Sequence, residues 1–97
     1  MWYQWEPAKN TWLIRHRGIS FEDILWAIAQ GDLLDVLVSD KARYKGQKQL
    51  VVNVKGYAYL VPVEEHGETC TLKTIIPSRK LTRQYLRKGG GGGTTES

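Results

Sequence analysis

Six cations, Lys73, Arg79, Lys80, Arg83, Arg87 and Lys88, stand in a stretch that holds no acidic residue. If residues 79–87 are helical, Arg79 and Arg83 lie four apart and share a face that can meet successive phosphates, with Tyr85 nearby as a hydroxyl or stacking group. Lys73 falls on an apparent strand just before Arg79, so two cations approach one sheet edge, as stabilising an oxyanion requires. A solvated basic helix is the plainer alternative.

The two imidazoles have different settings. His16 lies between Arg15 and Arg17 before Gly18, whereas His66 lies beside Glu64, Glu65 and Glu68. Only His16 sits among cations that could hold a phosphate while it moves a proton, and His66 reads as a polar loop residue. Glu22 with Asp23, and Glu64 with Glu65, are sequence neighbours and do not form the facing carboxylate pairs of glycoside hydrolysis or two-metal chemistry. No serine has a convincing His and Asp arrangement around it, and Ser78 reads as a helix cap or phosphate donor. Cys70 has no second thiol and no clustered histidines, so it reads as a buried structural cysteine, and neither metal nor cofactor is expected. Trp12, Trp26, Tyr57 and Tyr59 could stack on bases, but their spacing points to the core.

Several elements must position these groups. Trp2, Tyr3 and Trp5 suit a short strand. Pro7 opens a helix to Arg17, with Ala8, Trp12 and the stem of Arg15 on one face and Gly18 as the stop. Ser20 caps a second helix through Phe21, Ile24, Leu25 and Ile28, with Gly31 at its end. From Lys48 the period changes to two, through Leu50, Val52 and Val54. Lys55-Gly56 then makes a tight turn into Tyr57 to Val63. A looser turn over 64–68 leads to a strand over 69–76, ended by Pro77, and a short helix over 79–87. The expected class is α+β: N-terminal helices on a small antiparallel sheet, with a short C-terminal helix.

The chain has 97 residues, 41% of them hydrophobic, which suits one domain over 1–87. Residues 88–97 are mostly glycine and small polar residues and are expected to form a flexible tail. A net charge of +4 favours a polyanionic partner. One cysteine, no apolar run near the length that spans a bilayer and no signal-like start lead to the expectation of a cytoplasmic protein without a membrane partner.

Tyr3-Gln4-Trp5, Pro7-Ala8-Lys9-Asn10 and Gly18-Ile19-Ser20-Phe21-Glu22-Asp23 resemble the opening of BrnT toxins. The end is similar too: Lys73-Thr74-Ile75-Ile76-Pro77-Ser78-Arg79-Lys80, then Thr82 and Tyr85, resembles that family's last strand and terminal helix. The resemblance spans residues 2–87. It implies a RelE-like fold, cleavage of messenger RNA and neutralisation by an antitoxin, a ribbon-helix-helix DNA-binding protein through which promoter DNA would be reached. Lys9, Lys73, Arg79 and Tyr85 match family-like positions. His16, Arg83 and Lys48 come instead from charge and chemistry. The sequence departs from the family where Arg17 stands directly before the glycine in place of a histidine, and where Gln84 stands near an expected glutamate.

The expectation that follows is a metal-independent endoribonuclease. Arg79 and Lys73 would stabilise the phosphate, and His16 or Tyr85 would move protons. Lys9, Lys48, Lys80 and Arg83 would bind the RNA. The competing expectation is a non-catalytic module that binds nucleic acid or protein, including an inactive toxin relative.

Overall fold

The computed structural model describes residues 1–38 and 47–87. The glycine-rich tail expected at 88–97 lies outside them. The described chain is α+β: β1 (Trp2–Gln4), α1 (Pro7–Arg17), α2 (Phe21–Ala29), β2 (Leu33–Val38), β3 (Gln47–Val54), β4 (Tyr57–His66), β5 (Thr69–Leu72), β6 (Ile76–Pro77) and α3 (Arg79–Thr82). A π-helical turn, Arg83–Arg87, continues α3.

Pro7 occupies the first turn of α1, where its missing amide donor costs nothing. Gly18 ends the helix at φ 67°, a left-handed conformation that penalises other side chains, and its amide donates to the Ile14 carbonyl. Ser20 and Asp23 form a reciprocal capping box at the start of α2. The two helices are also tied by side chain. Asn10 Oδ1 accepts the Phe21 amide at 2.8 Å, and Asn10 Nδ2 donates to Glu22 at 2.8 Å. That bond is the main cause holding the Glu22 carboxyl below its usual range.

The sheet has six strands in the order β1-β5-β4-β3-β2, with β6 also on β4. It is mixed, because β1 runs parallel to β5, which corrects the expectation of a purely antiparallel sheet. The Lys55-Gly56 turn forms as the sequence indicates, with φ of 55° and 82°. Three sequence expectations change around it. Leu33–Val38 adds an edge strand, β2, which its pattern of apolar residues without alternation, interrupted by Asp35, did not announce. β4 runs on to His66, so Glu64 and Glu65 are strand residues and the loop shrinks to Gly67-Glu68. The expected strand over 69–76 breaks after Leu72. Pro77 is the last residue of β6, where it pairs with Tyr59, so it closes the strand as expected.

That break has a regular form. Between the Val63–Leu72 and Leu60–Ile76 pairs, Val61 and Pro62 of β4 face Lys73, Thr74 and Ile75, so one extra residue is inserted. The Lys73 amide still donates to the Pro62 carbonyl. This is a bulge, a device that bends a strand and re-aims side chains.

The core joins Leu13 of α1 and Ile19, Phe21, Ile24 and Ala27 to Val52, Val61, Val63, Cys70, Leu72 and Ile75. Burying a side chain such as Leu13 or Phe21 contributes roughly 1.5–3 kcal/mol. Val51 and Ala58 are fully buried outside this cluster. Strand alternation turns them to the opposite face, which α3 covers. There the Ala58 amide donates to the buried Thr82 hydroxyl, which itself donates to the Ser78 carbonyl. Cys70 is buried and unpaired, and burial raises its thiol above the ordinary value, which suits an inert structural cysteine.

Candidate functional site

α1 buries Asn10 and Leu13 and leaves the other side of the helix in solvent. The aromatic residues therefore depart from expectation: Trp12 is 39% exposed and Trp26 68% exposed, and neither is in the core. The cause is register, because Leu13 and Asn10 take the inward positions and turn Trp12 outward with its neighbours three and four residues away.

Lys9 and His16 are two of those neighbours, and Arg17 follows five residues on. Lys9 Nζ sits 4.7 Å from the Trp12 ring centroid, and the Arg17 guanidinium carbon sits 5.2 Å from it. The His16 ring stacks on Trp12 at 4.4 Å with 16° between planes. His16 Nδ1 is 3.0 Å from the Trp12 carbonyl oxygen. A carbonyl can only accept, so Nδ1 carries the proton in this bond, and in the neutral ring Nε2 keeps its lone pair.

Arg17 joins this face to the sheet, since its Nη1 donates to the Ile75 carbonyl at the bulge. Lys73, at the start of the same bulge, is exposed. Lys73 and Lys9 together line an open cleft of about 550 Å³. Its walls are the end of β1 and the start of α1 (residues 4–7 and Lys9) and the end of β5 (residues 71–73). Three residues expected from sequence, Lys9, His16 and Lys73, thus belong to one connected region, joined by Trp12, which was expected in the core, by Arg17, and by Glu6, which had not been singled out. Of Trp12, Arg17 and Glu6, only Trp12 carried a positional signal, because Lys9, Trp12 and His16 follow one another at helical spacing.

The remaining expected residues lie elsewhere. Ser78 Oγ accepts the Leu81 amide and caps α3, and the Arg83 amide donates to the Arg79 carbonyl. Arg79 and Arg83 therefore have the expected helical spacing, and with Lys80 they are exposed. They lie on the C-terminal helix, across the sheet from α1, so the structure does not gather them around His16. Tyr85 donates its hydroxyl to Asp35 of β2. This bond is the largest cause of both shifts, with the Asp35 carboxyl below its usual value and the Tyr85 hydroxyl above it. A phenol that holds its proton more tightly is a poorer acid. Lys48 pairs with Glu65 at 2.9 Å, which partly neutralises it. His66 is 3.4 Å from Glu64 at the end of β4.

Among the described residues, Lys9, Arg17, Lys73, Arg79, Lys80 and Arg83 form no ion pair. Both sides of the sheet therefore present cations that no carboxylate pairs directly. No described helix is long and apolar enough to cross a membrane. Comparison with protein-family models, with curated proteins and with solved structures finds no match for the chain.

Proposed function

We propose that the protein is a metal-independent endoribonuclease of the RelE-like, BrnT-type toxin class, cutting single-stranded messenger RNA and held inactive by an antitoxin. The observation that carries the reading is His16. Its Nδ1 is engaged by the Trp12 carbonyl, so Nε2 is the acceptor, and the ring stacks on the same indole that Lys9 and Arg17 approach.

In the reaction, the 2'-hydroxyl gives its proton to His16 Nε2 as its oxygen attacks the adjacent phosphorus. The bond from phosphorus to the 5'-oxygen breaks, and that oxygen takes a proton from water, whose hydroxide is neutralised by the proton that His16 Nε2 holds. The products are a 2',3'-cyclic phosphate and a 5'-hydroxyl. Arg17, Lys9 and Lys73 offset the charge that builds on the phosphorane. Arg79, Lys80 and Arg83 hold the strand on the other side of the sheet, which makes binding sensitive to salt. Tyr85 is assigned to the fold and not to proton transfer, because its hydroxyl is bound to Asp35. An antitoxin that laid acidic or helical segments over these cations would close the site.

The test is incubation of purified protein with end-labelled single-stranded RNA in excess EDTA, with and without ribosomes, and identification of the new ends. Cyclic phosphate ends support the reading; intact RNA in both conditions removes it. The separation of the C-terminal cations from His16 favours a second reading, a non-catalytic module that grips RNA or an acidic partner along its basic helix. Expression separates the two, since a toxin halts growth unless its antitoxin is present and a binding module does not.

A further inference from the structure

The cleft beside α1 holds a group that strand binding and cleavage leave unused. Glu6 lies at the N-cap of α1, yet its side chain caps no amide. Among the described residues it forms no ion pair either. We propose that this cleft seats one guanine nucleotide, its phosphate between Lys9 and Lys73 and its Watson–Crick edge on the Glu6 carboxylate. The proposal rests on the ribonuclease reading only in taking that nucleotide to be a unit of the RNA strand.

The dimensions and walls suit such a ligand. A volume of about 550 Å³ falls within the range of small-molecule sites. Trp5 and Pro7 line it with apolar surface. Trp5 is half-buried and packs on Phe21 at a centroid distance of 5.5 Å, so this wall is fixed by the core. Gln4 donates its amide to the Thr71 hydroxyl at 2.9 Å, which holds the floor between β1 and β5. Lys9 and Lys73 supply two positive charges for a phosphate and outweigh the single charge of Glu6.

Base choice follows from hydrogen-bond chemistry. An ionised carboxylate only accepts, and its two oxygens take two parallel donors. Guanine offers two adjacent donors, N1–H and the 2-amino group. Adenine and cytosine set their amino group beside an acceptor nitrogen, and uracil sets one N–H between two carbonyls. Each of those acceptors would face the carboxylate with like charge, which discriminates by repulsion as well as by attraction. A plain anion site would contain no carboxylate, so Glu6 also argues for a nucleotide over free phosphate.

The experiment titrates the full chain with guanosine 3'-monophosphate, adenosine 3'-monophosphate and inorganic phosphate, following amide and indole NMR signals. The guanine nucleotide is expected to shift Trp5, Lys9 and Lys73 and to bind about tenfold more tightly than the adenine nucleotide. Lys73→Ala should weaken both nucleotides, whereas Glu6→Gln should abolish the preference and keep phosphate binding. Shifts away from the cleft, inorganic phosphate binding as tightly as the guanine nucleotide, or a preference unchanged by Glu6→Gln would each overturn the proposal. RNA cleavage with no nucleotide entering the cleft sinks this inference alone. Guanine binding with uncut RNA sinks the ribonuclease reading and leaves the site standing.

Discussion

His16 and Trp12 are joined twice, once by the bond from His16 Nδ1 to the Trp12 carbonyl and once by the stacking of imidazole on indole. The two contacts fix both the tautomer and the plane of a ring that is otherwise exposed at a helix end. Trp12 is therefore a positioning residue. Trp12→Ala is expected to lower kcat by about ten- to a hundredfold, with a smaller change in KM, because misplacing a reacting group costs rate more than binding. Nitrogen NMR of His16 should show the Nδ1-protonated tautomer retained in the variant, because the accepting carbonyl belongs to the backbone, while the ring loses its fixed plane. An unchanged kcat would mean the stack is ornamental.

The C-terminal cations carry a different expectation. Arg79→Ala and Arg83→Ala together should raise KM while kcat stays within about twofold, since these residues hold the strand away from His16. The salt dependence of RNA affinity should flatten by about 0.7 in log–log slope for each phosphate that the variant no longer neutralises. A fall in kcat at unchanged KM would place Arg79 in the reacting centre.

Thr82 is fully buried and serves two backbone groups, accepting from the Ala58 amide and donating to the Ser78 carbonyl. Thr82→Val keeps the shape but leaves a buried amide without an acceptor. A loss of about 1–3 kcal/mol in unfolding free energy is expected from denaturant titration. A variant as stable as the parent would show that water replaces the hydroxyl.

Legibility in the sequence followed how local each determinant is. α1 and α2 were readable because Pro7, Gly18 and the Ser20/Asp23 box act within a few residues of themselves. The β3–β4 hairpin was readable from alternation and its Lys55-Gly56 turn. β2 was not, because Leu33–Val38 carries apolar residues on both faces and takes its register from β3. The bulge at Lys73–Ile75 depends on what β4 offers across the sheet, so a continuous strand ending at Pro77 was the natural expectation. In the site, Lys9, His16 and Lys73 were identifiable as charges, but the outward turn of Trp12 depends on Asn10 and Leu13 claiming the interior. The Lys48–Glu65 and Tyr85–Asp35 pairs join strands or elements distant in sequence, which no local pattern reveals.

The Tyr85–Asp35 bond predicts a pH dependence of stability. Asp35 is held below its ordinary value of 3.8, so its contribution is complete above that value and is lost as the pH falls through the lower folded value. Tyr85 is raised, so its contribution is present below the ordinary tyrosine value of 10.0 and is lost as the pH rises through the higher folded value. Both groups are exposed enough for solvent to keep the effect small. Tyr85→Phe should lower the urea midpoint at neutral pH, and the difference should shrink in strong acid. A difference that is constant with pH would mean the hydroxyl contributes only through packing.

The most direct test compares wild type with His16→Ala on end-labelled single-stranded RNA in excess EDTA, with ribosomes added in a parallel series. Wild type should leave 2',3'-cyclic phosphate ends, and His16→Ala should cut about a hundredfold more slowly or less, the usual contribution of a general base. A variant that cuts as fast as wild type, or a wild type that leaves RNA intact in both series, would contradict the assignment of this site.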